Sequence, residues 1–182
     1  MVFLHSCPLD VLERGDVIRG LLEARDAGKV RVAGYSGEND ALRWALDSGH
    51  FGALQTSVNL VDQWSAEHVL LDAAARGIGV VAKRPIANAA WQHEQRPVGQ
   101  YSEIYWSRLQ ELGIGPVNDD WFDTALRFST YTPGVSTAIV GTKAPTHLAA
   151  AIAAVEHGPL PAEERAPWVA AVAAHSDWPG EI

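Results

Sequence analysis

A few residues in this chain have the type and setting for chemistry. His5 closes a short apolar run, Val2–His5, and meets polar turn residues directly afterwards. An imidazole there can orient or protonate a substrate oxygen, or it can simply be a structural histidine at a strand end. Gly141, Thr142 and Lys143 lie just before a helical stretch that opens with Pro145. Free N–H groups at a helix start beside a lysine suit a phosphate, and an ordinary helix start has the same composition. Other constellations are empty. The seven histidines show no His-x-x-x-His or Glu-x-x-His spacing, so no metal site is expected. His5, Ser6 and Asp10 are too close together to argue for a hydrolase triad, and Cys7 has no cationic neighbour in sequence to activate it.

These residues need a scaffold, and the 182 residues are enough for a single domain spanning 1–182. Short apolar runs at 2–5, 30–35, 53–58, 78–82 and 137–140 read as five strands. Helical spacing covers 13–27, 40–48, a segment N-capped by Ser65 and running to 76, 103–112, 120–130, 145–156 and 162–175. Strand–helix alternation of this kind predicts a parallel sheet with helices packed on it. Residues 84–117 are the least regular, as expected of a functional loop. The net charge of −8 argues against nucleic acid or an anionic membrane as partner. The single cysteine fits a reducing cytoplasm, and no apolar run is long enough to span a bilayer.

Five segments in order resemble the aldo/keto reductase family: FLHSCPLD, LLEARDAGKVRVAGYSGEND, LQTSVNLVDQ, GIGVVAKRPIAN and STAIVGTKAPTHLAAAIAAVE. Each motif is weak alone; their order and spacing carry the resemblance, which runs from residue 2 to about 175. It implies an α/β fold that is part of a (β/α)8 barrel, beginning at the fourth strand, with about five parallel strands. It implies NADPH as cofactor and a small-molecule carbonyl as substrate. His5 matches the histidine that orients the carbonyl, whereas the family's aspartate, tyrosine and lysine have no counterpart here. Ser36 and Gln55 match the residues that hold the nicotinamide carboxamide, although Gly37 stands where an asparagine is usual. Lys83 and Arg84 follow the seventh family strand, with Lys83 at about the place of a stacking aromatic. Gly141, Thr142, Lys143 and His147 match the 2′-phosphate grip, with His147 replacing an arginine.

Tyr35 is a tempting substitute acid, but strand side chains alternate, so Tyr35 points away if Ser36 faces the cofactor. A part-barrel also leaves open sheet edges and an uncovered interior face. A homo-oligomer is therefore expected to form through an edge or that face, with Val2, Leu4, Val32, Leu54, Val80 and Ile139 in need of cover. Three readings follow: a reductase homologue lacking its full catalytic set, a part-barrel with other chemistry in which His5 is a base and 84–117 a lid, and a non-catalytic assembly protein.

Overall fold

A computed structural model describes residues 1–182. Its sheet has five parallel strands in the order β1-β2-β3-β4-β5: Val2–His5, Ala33–Ser36, Ala53–Ser57, Gly79–Lys83 and Thr137–Ala138. Parallel neighbours require crossovers, and these supply α1 (Leu9–Arg14), α2 (Asp16–Asp26), α3 (Asn39–Ser48), α4 (Trp64–His68), α5 (Leu70–Ala75), α6 (Glu103–Leu112) and α7 (Trp121–Thr130). After β5 come α8 (Pro145–Glu156) and α9 (Ala162–Ala173). No helix is long and apolar enough to cross a membrane.

Register divides the sheet into two faces. Leu4, Tyr35, Leu54 and Val80 stand in one row across β1–β4 and point at the helices. Tyr35, Leu54 and Val80 are buried there with Leu12, Ile18, Leu42, Leu46 and Leu70 in the main core, and Leu4 packs against them. One residue further along, His5, Ser36, Gln55 and Val81 form the next row, on the opposite face. Gly34 keeps this face passable: a Cβ there would come within 2.5 Å of the Phe3 ring, so only glycine lets that ring lie across β2.

Several boundaries differ from the sequence reading, each for a local reason. The helix expected over 13–27 breaks at Gly15, whose φ of 77° is left-handed. The helix expected to start at Ser65 is two helices, parted at Val69, and Ser65 lies inside the first rather than capping it. Its buried hydroxyl donates to the Ser57 carbonyl at 2.9 Å, fastening α4 to β3. Residues 84–117 are not a free loop. The helix expected at 103–112 is α6, Ala87–Gln92 is a kinked turn, and a second core joins Ala87, Ala90, Tyr105 and Leu109 to Leu60, Phe128 and Trp168. Leu54 and Val80, expected to need covering, face the helices and are fully buried, whereas Val2 on edge strand β1 and Ile139 just past edge strand β5 stay about half exposed.

Leu54 is at the centre of both the sheet and the main core. Leu54→Ala is expected to cost about 2–5 kcal/mol through lost transfer energy and the cavity left behind; urea unfolding checks this, with a midpoint shift and an unchanged slope.

Candidate functional site at the strand ends

In a parallel α/β sheet, ligands meet the carboxyl ends of the strands, where loops can converge without breaking the ladder. Three chain reversals here use left-handed residues other than glycine: Ser6 after β1, Asn39 after β2 and Arg84 after β4, with φ of 48°, 55° and 53°. Ala87, Asn88 and Ala89 continue the pattern. Such conformations cost energy and persist where the surroundings hold them.

The row His5–Ser36–Gln55 brings three of the residues named from sequence side by side on adjacent strands. His5 is exposed at the edge and Gln55 is half buried. Ser36 is fully buried, and its Oγ has no hydrogen-bond partner in the chain. A buried hydroxyl without a partner costs about 1–3 kcal/mol, so this atom is a vacant donor and acceptor on the face opposite the helices. Tyr35 points the other way, its hydroxyl donating to the Cys7 carbonyl at 2.9 Å. Burial pushes its pKa up to about 12.

Lys83 and Arg84 are also at this end, and neither is a free cation. The Lys83 ammonium lies 3.1 Å from Glu38 Oε1. Glu38 is 4% exposed and also accepts from the Thr56 hydroxyl at 2.5 Å and the Ser57 N–H at 2.9 Å. Burial raises the Glu38 carboxyl above its ordinary value, and Lys83 and the two hydrogen bonds draw it back. Arg84 donates to the Glu181 carbonyl at 2.6 Å and to Ser57 Oγ at 3.4 Å.

Gly141, Thr142, Lys143 and His147 are exposed on the β5–α8 turn and the first turn of α8. Thr142 Oγ1 accepts the Ala144 N–H at 3.1 Å, which shapes the turn. Gly141, Thr142 and His147 border a cleft of about 390 Å³ whose opposite wall includes Ile86, Trp91 and Phe122. The clefts that residues 84–117 line here and beside α6 do not include His5, so the pocket needed for a His5 base under a lid at 84–117 is not formed by them.

Glu38, Asn39, Asp62, Tyr105 and Arg108 were not legible as site residues. Asp62 is 1% exposed and its Oδ2 accepts from the Tyr105 hydroxyl and the Glu181 N–H, both at 3.0 Å, while Oδ1 has no partner. Burial, and then the nearby charge of Glu38, raise its pKa to about 7, against the pull of the Glu181 N–H, Arg108 and Tyr105. Glu38 and Asn39 follow directly on Ser36-Gly37, which was their one available signal. Asp62, Tyr105 and Arg108 come from other segments, and only packing joins them.

Two outcomes are expected. Lys83→Met leaves the Glu38 carboxylate buried and unpaired and costs about 3–5 kcal/mol in urea unfolding; an exposed pair would cost under about 1 kcal/mol. Asp62 is harder to ionise folded than unfolded, where its value is 3.8, so rising pH lowers its contribution to stability from about pH 4 to about pH 7. Melting temperatures of Asp62→Asn, measured against the unaltered chain, should therefore rise by about 3 °C or more between those limits.

Residues 1–173 match the aldo/keto reductase family. Among solved structures, the chain is similar to the aldo-keto reductase AKR11C1 from Bacillus halodurans. Its holo form aligns with a TM-score of 0.72 and 22% identity, over 93% of this chain and 59% of that one. Its apo form gives a TM-score of 0.67 over the same shares. An aldo/keto reductase from Klebsiella pneumoniae, in complex with NADP and acetate, aligns with a TM-score of 0.59 and 20% identity, over 91% of this chain and 55% of that one. No curated protein sequence matches. The chain thus spans under three-fifths of the solved relatives' length, and its five parallel strands match part of their (β/α)8 barrel. With nearly all of its residues inside the family match, this chain belongs to the aldo/keto reductase family.

Proposed function

We propose that this chain keeps the cofactor half of an aldo/keto reductase site, binds NADPH at its strand ends, and on its own reduces carbonyls negligibly. The observation that carries the reading is Ser36 Oγ, fully buried without a partner and in register with His5 and Gln55. A carboxamide has the donor and acceptor that a serine hydroxyl and a glutamine amide would meet. Lys83 at the usual aromatic position would repel an oxidised nicotinamide if its charge were bare. Glu38 at 3.1 Å offsets that charge. The Gly141–Thr142–Lys143 turn supplies exposed N–H groups and a lysine for phosphate, and His147 holds a 2′-phosphate less firmly than a guanidinium.

NADPH, when bound, supplies a hydride. His5 can orient a carbonyl oxygen from the rim, but a proton donor is also required. Tyr35 is bonded to Cys7 on the helix side, and Tyr105 is fully buried against Asp62. Both hydroxyls are thus engaged within the fold, which supports cofactor binding without turnover.

A second reading rests on the open edges. β1 and β5 each lack a neighbour on one side, and α8 leaves Leu148 and Ile152 about half exposed in an apolar groove beside β5. We propose that a second copy of the chain covers such an edge, because unpaired edges recruit strands.

Ser36→Ala separates site from scaffold: it should raise the stability of the free chain by about 1 kcal/mol, since an orphan hydroxyl is removed, and weaken NADPH at least about fivefold. Nicotinamide fluorescence and thermal melting read the two effects; unchanged affinity would sink the assignment. NADPH oxidation with small aldehydes should stay at background. Sedimentation should give a dimer that Ile152→Lys shifts toward monomer.

A further inference from the structure

Residues 179–181 cross the strand ends, far in sequence from the side chains that bond their main chain there. Their main chain is read atom by atom. The Pro179 carbonyl accepts from Arg108 Nη2 at 2.7 Å. The Gly180 N–H donates to Asn39 Oδ1 at 2.7 Å, and the Gly180 carbonyl accepts from Asn39 Nδ2 at 2.9 Å. The Glu181 N–H donates to Asp62 at 3.0 Å and its carbonyl accepts from Arg84 at 2.6 Å. Every backbone polar group from the Pro179 carbonyl to the Glu181 carbonyl is therefore matched by a side chain. Asn39 pairs with one residue's N–H and C=O together, as a neighbouring strand would.

The fit also selects residue types. Gly180 is buried, and a Cβ there would come within 3.2–3.3 Å of Asn39 Oδ1, Glu38 Oε2 and Glu38 Cβ. Trp178 stacks on His175 at 4.3 Å, and the Arg108 guanidinium lies over its ring at 4.9 Å. The receptor groups belong to β2–α3, the segment after β3, β4 and α6, so the cleft is assembled by the fold rather than by the strap itself.

We infer that the strand ends form a cleft for an extended peptide of the type Trp-Pro-Gly-X, that residues 178–181 occupy it from within the chain, and that this strap masks the NADPH position. The masking rests on the cofactor reading, because Arg84 and Ser57, which touch Glu181, lie beside Lys83 and one pleat beyond Gln55. The peptide cleft itself does not depend on that reading.

Gly180→Glu in the full chain tests both parts, since it introduces bulk and negative charge against Glu38. Hydrogen exchange reads the strap, and anisotropy of a fluorescein-labelled Asp-Trp-Pro-Gly-Glu-Ile peptide reads the cleft. Loss of two or more main-chain bonds should lower protection of residues 180 and 181 by about tenfold or more, and the labelled peptide should bind the variant about tenfold tighter than the unaltered chain. Trp178→Ala, which removes the ring beneath Arg108 and spares Gly180, should act in the same direction. Unchanged protection in both variants, or a released strap with no gain in peptide binding, overturns the cleft. NADPH that displaces the peptide supports masking, and NADPH that binds the variant without displacing it overturns masking. If NADPH binds neither chain, the cofactor reading and the masking fall together, and the peptide result alone decides the cleft.

Discussion

The Glu38 carboxylate is the constraint around which the strand ends are arranged. It lies just past β2 in a nearly water-free setting, and an ion there is tolerable only with partners on every side. Thr56 and Ser57 of β3 and Lys83 of β4 supply them. One side chain thereby ties three consecutive strands at the end where a parallel sheet presents its functional groups. It also fixes the position of Lys83, raises the pKa of Asp62 through its charge, and forms part of the floor under Gly180.

That arrangement explains why the cations near this end behave as structure. Lys83 and Arg84 adjoin in sequence, but they serve different partners: the first an internal carboxylate, the second the carbonyl of Glu181. Arg108 is likewise divided between the Val61 and Pro179 carbonyls, at 3.0 and 2.7 Å. Guanidinium groups suit this use because their fork satisfies several acceptors with one side chain. The unsatisfied groups are then informative by contrast. Ser36 Oγ stands alone on the face where a ligand would lie, and Asp62 Oδ1 stands alone beneath the strap.

Much of the scaffold was readable from local pattern. Period-two alternation put Tyr35 and Ser36 on opposite faces, and the register across β1–β3 agrees. Five strands alternating with helices implied the parallel sheet that is found. Boundaries were harder wherever a single residue's backbone broke a helix within a continuous pattern, as Gly15 and Val69 do. Residues 84–117 looked irregular because their order comes from packing: Trp91 stacks on Trp121 at 5.5 Å, and the Trp106 indole donates to the His93 carbonyl at 2.9 Å. No periodicity encodes such contacts.

By itself the sequence determined the family resemblance, the strand–helix rhythm and the opposite facing of Tyr35 and Ser36, because each depends on residues near in sequence or on a repeating pleat; the row of His5, Ser36 and Gln55 comes from the pairing of β1, β2 and β3. Tertiary structure alone decided which charges are neutralised and which polar atoms are left without partners. Glu38 meets Lys83 across 45 residues, and Asp62 meets Glu181 across 119. Burial and pairing at such separations depend on how the chain closes on itself, since the energy of a charge is set by the groups that surround it in space rather than by those that flank it in the chain.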